Sequence, residues 1–147
     1  MNPILSIAIP VYNFAEYLPY TLDSILEQAK KNNIEVLIYD GASKDATSTI
    51  IKSYLKAYEN LRYIRSLKKG GIDLDMAKCV DLVKGKYCWL FSGDDLMHSN
   101  SIERVLNYLS SWQPDLLLLR HNECNVSMEV ICDWPVLSLE NDNLFNL

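Results

Sequence analysis

The sequence Gly85-Lys-Tyr-Cys-Trp-Leu-Phe-Ser-Gly-Asp-Asp95 is an apolar and aromatic run that ends in two adjacent carboxylates. Aromatic residues favour strands, and a nearly continuous apolar run is typical of a strand covered on both faces, as in a parallel sheet. Ligands of such sheets bind beyond the carboxyl ends of the strands. Asp94 and Asp95 are therefore predicted at a ligand-binding edge, where two carboxylates can hold a hard divalent cation and, through it, a diphosphate.

An alternative explanation of this acidic pair is a solvated turn followed by a helix cap, because Asp is common in loops. Two further predicted strands, however, also end in polar residues. The first is Leu5-Ser-Ile-Ala-Ile-Pro-Val-Tyr-Asn13, and the second is Glu35-Val-Leu-Ile-Tyr-Asp40, which is followed by Gly-Ala-Ser-Lys-Asp-Ala-Thr47. Polar residues at three strand ends favour a binding site over an isolated turn.

These three segments, in this order and spacing, resemble the nucleotide-sugar-binding half of the inverting glycosyltransferases of family 2, which have the GT-A fold. The family patterns are S-I-I-I-P-x-Y-N, D-D-G-S-x-D-x-T and G-E-Y-I-x-F-L-D-x-D-D, and three such matches in register are specific where one would not be. The resemblance covers about the first 110 residues. Within the family, the run from Gly70 to Asp95 is most similar to O-antigen dideoxysugar transferases of the abequosyltransferase type.

The resemblance implies that nucleotide-binding residues lie at the matching positions of this chain, namely Pro10, Tyr12, Asn13, Asp40, Ser43 and Gly93. It implies a divalent cation, Mg²⁺ or Mn²⁺, as cofactor, with Asp94 as the first candidate ligand and Asp95 as its neighbour or substitute. The implied donor is a UDP-, dTDP- or CDP-linked sugar. The implied acceptor is a saccharide or lipid-linked saccharide in the assembly of a surface polysaccharide such as O-antigen.

The chain also departs from the family pattern at three places. Ser92 stands where the first Asp of the metal motif is expected, so that Asp94 matches the second. Gly41 stands where relatives carry an acidic residue that can contact the nucleobase. Asp75-Met76-Ala77 replaces an Ala-Arg-Asn segment, and no arginine there can be assigned to the diphosphate.

The composition is that of one globular domain without the charge of a nucleic-acid-binding protein. The chain has 147 residues, of which 49% are hydrophobic, and a net charge of -5, so no nucleic-acid partner is expected. No apolar run approaches the roughly 20 residues of a membrane-spanning helix, and no signal peptide is recognisable. The expected location is the cytoplasm, with peripheral attachment at the inner membrane face left open. The four cysteines lack Cys-x-x-Cys spacing and are predicted to be reduced thiols.

Strand and helix signals alternate along the chain, which predicts an α/β fold with a mostly parallel sheet and helices on both faces. The GT-A, Rossmann-like fold implied by the resemblance is of this class. Strands are expected near residues 4–9, 34–39, 61–64, 86–92 and 115–119. Helices are expected between them, including one with Ser43 as its N-cap and one marked by Met76, Ala77, Val80 and Val83. Residues 1–147 are expected to form one nucleotide-sugar-binding domain, with the acceptor half beginning at residue 121; Val126 to Cys132 is a further candidate strand.

The catalytic base is the residue that the sequence does not assign. In the resembled family it lies in the second half of the catalytic domain, and typical members are longer than this chain. By position the candidates are His121, Glu123 and Asp133. The chain is therefore interpreted as the donor-binding part of a truncated glycosyltransferase. Two alternatives stay open: a catalytically incomplete nucleotide-binding fragment, and an α/β enzyme of the nucleotidyltransferase kind, which shares strand-end carboxylates and metal–diphosphate chemistry.

Overall fold

A computed structural model describes residues 2–119, 121–125, 127 and 129–132. The chain divides into two compact units, Met1–Gln113 and Pro114–Leu147. The first unit alternates strands and helices in the predicted manner. Its elements are β1 (Leu5–Val11), α1 (Leu18–Lys31), β2 (Glu35–Asp40), α2 (Thr47–Tyr54), β3 (Leu61–Arg65), α3 (Ile72–Leu82), β4 (Tyr87–Leu90) and α4 (Ser101–Trp112).

The four strands of this unit form one parallel sheet in the order β3-β2-β1-β4. β1 lies inside the sheet, and its Ser6 is the register partner of both Glu35 in β2 and Cys88 in β4. Because all four strands run the same way, their carboxyl ends meet at one edge, as in other parallel α/β sheets. The predicted α/β class with a parallel sheet is confirmed.

The core lies around the two central strands and helix α1. Every residue of β1 and β2 is buried, which explains why both read as nearly continuous apolar runs. Helix α1 contributes an apolar stripe at helical spacing whose members are all 0% exposed: Leu18, Leu22, Ile25, Leu26 and Ala29. This rigid centre fixes the positions of the loops that follow each strand.

A buried ionic network joins the strands at the amino edge of the sheet. Glu35 accepts hydrogen bonds from Ser6 Oγ at 2.6 Å and from the Lys84 N–H at 2.8 Å, and it pairs with Arg62. Burial alone would raise the pKa of Glu35, but the hydrogen bonds from Ser6, Arg62 and Lys84 outweigh it and lower that pKa. The network therefore stabilises the folded sheet at pH values at which Glu35 is ionised. This stabilisation is lost as the pH falls through the pKa of Glu35 in the folded protein.

Gly85 allows the chain to pass close beside β1 before β4 begins. A Cβ atom at this position would lie 2.6 Å from the backbone nitrogen of Ser6 and 2.8 Å from the backbone carbon of Leu5. We expect Gly85→Ala to force the two strands apart and to lower the free energy of unfolding by about 1–3 kcal/mol, measured by urea denaturation.

Gly71→Ala is the matched comparison for this substitution. A Cβ there meets no atom of the described chain within 4 Å, but the φ of Gly71 is +93°, so the cost is backbone strain of about 1 kcal/mol. If Gly85→Ala unfolded at the same urea concentration as the wild type, close approach of the strands at Gly85 would be disproved.

Two details of the predicted elements are wrong. Residues 115–119 form no strand: Leu116 and Leu118 are 76% and 78% exposed, and no sheet partner among the described residues pairs with this segment. Ser43 is not the N-cap of α2, since the helix begins at Thr47 with Ala46 as its cap. Helix α3 exists as predicted, but its apolar residues are largely exposed, and its buried positions are Asp75 and Cys79.

The second unit contains a short antiparallel hairpin in its described part. Its strands are β5 (Glu123–Cys124) and β6 (Val130–Cys132). The sequence pattern predicted only a strand between Val126 and Cys132, of which the structure shows the last part. Asp133 lies outside the described residues, as does Val126. In the part of the chain that the structure describes, no helix combines the length and the apolar character that crossing a membrane requires.

Candidate functional site

A cleft of about 550 Å³ opens at the carboxyl edge of the sheet, within the first unit. It is built by the segments that follow β1 and β4 and by the first turns of α3. Its lining is largely apolar with a few polar groups, as ligand sites usually are. The lining residues are Pro10, Val11, Tyr12, Phe14, Lys69, Gly71, Ile72, Asp75, Met76, Leu90, Phe91, Ser92 and Asp95.

The loops that follow β1 and β2 are held together beside this cleft by side chain to backbone hydrogen bonds. The Asn13 N–H donates to Ser43 Oγ at 2.9 Å, and Asn13 Oδ1 accepts from the Lys44 N–H at 2.8 Å. Asn13 has a φ of +60°, a left-handed conformation that asparagine tolerates better than most residues. Asn13 and Ser43 thus fix the shape of this cleft edge.

Asp40 is a buried residue whose hydrogen bonds hold the loop after β2 in place. Its carboxylate is fully buried, with Oδ1 accepting from the Ser43 N–H at 2.7 Å and Oδ2 accepting from the Tyr63 hydroxyl at 2.8 Å. Arg65 lies 3.4 Å from Oδ2 and balances the charge. Because both oxygens are engaged within the protein, the geometry favours a positioning role for Asp40 over direct contact with a ligand.

The acidic pair that follows β4 lies at the rim of the cleft. Asp95 is among the lining residues, while Asp94 is exposed and accepts a hydrogen bond from Ser92 Oγ. Ser92 also lines the cleft and orients the Asp94 carboxylate. Gly93, between Ser92 and Asp94, is buried. A Cβ there would meet Cγ1 of the buried Val11 at 2.8 Å, so glycine lets this loop lie against β1.

The acidic loop is also tied to helix α1 by three hydrogen bonds, which hold residues 93–98 in place. Thr21 Oγ1 donates to the Gly93 carbonyl at 2.9 Å. One turn later, Ser24 Oγ accepts from the Met97 N–H at 3.0 Å. Gln28 Nε2 then donates to the His98 carbonyl at 3.2 Å. The loop that carries the carboxylates is therefore built as an extension of the core.

Asp75 is a buried carboxylate of α3 that lines the cleft and is only 5% exposed. It lies against Gly41: a Cβ on Gly41 would be 2.3 Å from Asp75 Oδ2. Burial raises the pKa of Asp75, the charge of Asp40 raises it further, and the charge of Lys69 acts in the opposite direction.

Lys69 and Tyr12 form the polar mouth of the cleft. The Lys69 ammonium lies 4.1 Å from the centroid of the Tyr12 ring, within the range of a cation–π contact. Both residues line the cleft, so a mobile positive charge is available beside the acidic groups. An anionic ligand can draw this lysine from the ring without any change in the backbone.

The structure brings Pro10, Tyr12 and Asp95 of the predicted site residues into the lining of one cleft, with Gly93 and Asp94 beside them. Asn13, Ser43 and Asp40 lie in the supporting layer. The sequence interpretation missed Asp75 as a site residue, although its replacement of the family's alanine was the available signal. It also did not identify Lys69 and Phe91 as site residues, although both line the cleft.

The donor groups at the rim fit a hard divalent cation bound together with a diphosphate. Asp94 and Asp95 offer carboxylate oxygens, which Mg²⁺ and Mn²⁺ prefer. Among the described residues, no group of three or more His, Cys, Asp or Glu side chains could hold a metal ion. A cation here would therefore take its other ligands from water and phosphate oxygens, as Mg²⁺ commonly does.

Comparison with known proteins identifies the family to which these features correspond. The family model described as glycosyl transferase family 2 matches residues 6–127. The chain is 37% identical over 122 residues to an abequosyltransferase of Salmonella typhimurium. The matched region covers 82% of this chain and 36% of that protein. It is 38% identical over 144 residues to an uncharacterised glycosyltransferase of Rickettsia prowazekii, with coverages of 98% and 40%. The chain thus spans less than half the length of these relatives.

Solved structures show the same fold at lower identity. The S. aureus TarS 1–349 structure superposes with a TM-score of 0.68 at 22% identity, covering 74% of this chain and 33% of that one. A mannosyltransferase from Pyrobaculum calidifontis, solved in complex with GDP-Man and Mn²⁺, gives a TM-score of 0.66 at 20% identity, with coverages of 76% and 34%. The parallel sheet and its helices are those of the GT-A glycosyltransferases.

Proposed function

The chain belongs to glycosyl transferase family 2, and from this membership we propose that its first unit binds the nucleotide part of a nucleotide-sugar donor in the cleft. The complete enzyme then transfers the sugar to a hydroxyl group of an acceptor. The observation that carries the proposal is the cleft itself, which brings aromatic residues and Asp95 together at the carboxyl edge of a parallel sheet, with Asp94 beside them.

The acidic rim supplies the chemistry that departure of a nucleoside diphosphate needs. Negative charge grows on the diphosphate as the bond to the sugar breaks, and a divalent cation held at this rim would stabilise that charge as a Lewis acid. Asp94 and Asp95 would hold the cation, with Ser92 orienting Asp94 through its hydroxyl. Lys69 adds a mobile positive charge at the mouth of the cleft.

The donor class is supported by the ligands of proteins that share the fold. TarS has been solved with UDP-GlcNAc and with UDP, and the mannosyltransferase with GDP-Man. A UDP-, dTDP- or CDP-linked sugar is the proposed donor for this chain. A saccharide or lipid-linked saccharide is the proposed acceptor; the relatives' names, abequosyltransferase and poly(ribitol-phosphate) β-glucosyltransferase, support sugar transfer in general. Assembly of a surface polysaccharide at the inner face of the membrane is the proposed setting.

Sugar transfer also needs a general base that takes the proton of the acceptor hydroxyl. No residue of the cleft is placed to serve as that base, because the described carboxylates support the loops or belong to the metal and donor ends. His121 and Glu123 are exposed residues of the second unit. We propose that the first unit binds the nucleoside diphosphate and that the general base lies outside its cleft.

A binding experiment tests this proposal directly. We expect Mn²⁺ together with one of UDP, dTDP, CDP or GDP to raise the melting temperature of the protein, because a ligand that binds only the folded state stabilises it by mass action. At a ligand concentration of 100 times Kd the gain is about 2.7 kcal/mol. Mn²⁺ with pyrophosphate and Mn²⁺ alone are the controls. Equal melting temperatures with and without every nucleotide would contradict the proposal.

A further inference from the structure

Resting on this proposed function, we infer that Asp75 is a specificity-determining residue that accepts a hydrogen bond from an N–H group on the edge of the donor's nucleobase. Its carboxylate lines the cleft while the residue is 5% exposed. Among the residues that the structure describes, none donates a hydrogen bond to this carboxylate, and the charges acting on it are those of Asp40 and Lys69.

A largely buried carboxylate without a donor from the protein depends on water or a ligand in the cleft to supply one. Ion pairing or hydrogen bonding normally compensates the burial of a charged group. Lys69 forms no ion pair with Asp75, because its ammonium lies over the Tyr12 ring. The first turn of α3 does not need this acid either, since Asp73 offers the same charge to the helix dipole from an exposed position.

The position of Asp75 relative to the strands indicates which end of a bound nucleotide it would contact. The acidic pair follows β4, Tyr12 follows β1, and Asp75 lies against Gly41 at the end of β2. β4 and β2 are the two neighbours of β1, so the metal end and the Asp75 end are separated by two strand spacings, about 10 Å. This is the scale of the separation between a diphosphate and the base of one nucleotide.

The charge of Asp75 agrees with this orientation. A carboxylate repels phosphate oxygens, so it belongs at the uncharged end of the nucleotide rather than near the diphosphate. Nucleobases present N–H groups along their edges, and carboxylates are established acceptors for such groups, as for the exocyclic amine of cytosine. A site that hydrogen-bonds an N–H discriminates strongly against analogues that lack it, because its buried acceptor is then left unpaired.

Gly41 is what makes room for this carboxylate. A Cβ on residue 41 would lie 2.3 Å from Asp75 Oδ2, and the backbone of Gly41 is outside the left-handed region that only glycine favours. The absence of a side chain at 41 therefore serves the placement of Asp75. The Asp75 carboxylate, which is carried by α3, fills the space that a side chain at position 41 would occupy.

The experiment measures nucleotide affinity of Asp75→Asn by titration calorimetry with Mn²⁺, using the nucleoside diphosphate that the wild type binds best among CDP, UDP, dTDP and GDP. We expect affinity to fall by about 10-fold, because the Asn amide oxygen can still accept the N–H but the hydrogen bond loses the charge that strengthens it. Binding of Mn²⁺ with pyrophosphate should be unchanged. Asp73→Asn is the matched control, since it removes the same charge from the same turn outside the cleft, and it should leave both affinities unchanged.

Thermal unfolding of the same variants separates a binding role from a structural one. Burial and Asp40 raise the folded pKa of Asp75, so its ionised form opposes folding at pH values above that pKa, and the penalty disappears at low pH. At pH 7, Asp75→Asn should therefore unfold at a higher temperature than both the wild type and Asp73→Asn. A structural carboxylate would give the opposite shift.

The remaining outcomes distinguish this inference from the proposed function. If the wild type binds no nucleoside diphosphate, the proposed function is overturned and the role of Asp75 with it. If Asp75→Asn binds nucleotide as well as the wild type does, only the inference is overturned. If it also loses Mn²⁺–pyrophosphate, Asp75 belongs to the metal or diphosphate end, and the base-reading role is wrong.

Discussion

Replacing both Asp94 and Asp95 by Asn should abolish the part of nucleotide affinity that depends on Mn²⁺, while the fold stays intact. Both side chains lie on a loop outside the core and Asn preserves their shape, so only the charge of the cation site is removed. Loss of groups that only support a metal ligand typically lowers metal affinity 10- to 100-fold, so loss of the ligands themselves should cost at least about that much. Titration calorimetry with and without Mn²⁺ measures the difference.

The single variants rank the two carboxylates. Asp94 matches the second acid of the family motif, and Ser92 orients it, so Asp94→Asn is expected to have the larger effect and Asp95→Asn the smaller. Asp95 lines the cleft, which makes the comparison informative. Ser92→Ala, which leaves both charges in place, should weaken Mn²⁺-dependent binding less than Asp94→Asn does. Unchanged metal dependence in the double variant would refute a cation site at this rim.

Asp40→Ala should cause the largest loss of stability among the substitutions near the cleft. It removes a fully buried carboxylate and leaves three donors without their acceptor: the Ser43 N–H, the Tyr63 hydroxyl and Arg65. Removing one partner of a buried charge network typically costs about 3–5 kcal/mol, and the lower end applies here because Arg65 is partly exposed and stays hydrated. The free energy of unfolding, measured in urea, is the readout.

Tyr63→Phe is the matched control for Asp40→Ala. It deletes one donor to the same oxygen and keeps the carboxylate with its other partners, so a loss of about 1 kcal/mol is expected. Equal destabilisation by the two substitutions would mean that Asp40 contributes no more than a single hydrogen bond. Asp40→Ala should also weaken nucleotide binding, since the loop of Ser43 and Asn13 loses its support.

The parts of the fold that the sequence predicts well are those in which local pattern and burial agree. β1 and β2 are buried along their whole length, so their apolar composition alone marks them, whereas β3 and β4 are partly exposed. The carboxyl ends of the strands carry the polar residues that form the site. Helix α1 is also predicted well, because its buried apolar residues recur at helical spacing on one side. The placement of Tyr12, Ser92 and Asp95 around one cleft follows from strand order and direction.

The parts that escape prediction depend on contacts between distant residues. Ser43 has the chemistry of a helix cap, but its hydroxyl is used by Asn13, which lies in another loop. Residues 115–119 read as an apolar strand, yet a strand forms only where a neighbour completes its hydrogen bonds. Asp75 looks like an ordinary acid in the first turn of a helix, and only its contact with Gly41 shows that it is buried in the cleft.

Three hydrogen bonds join α1 to residues 93–98, and they order the acidic loop before any ligand binds. Because these bonds form when the domain folds, the conformational entropy of the loop is lost at that stage and not when a ligand arrives. Ligand binding then needs to immobilise only the ligand and a few side chains such as Lys69. The heat-capacity change of nucleotide binding should accordingly match the apolar area that the nucleotide covers, without the larger change that accompanies folding of a disordered segment.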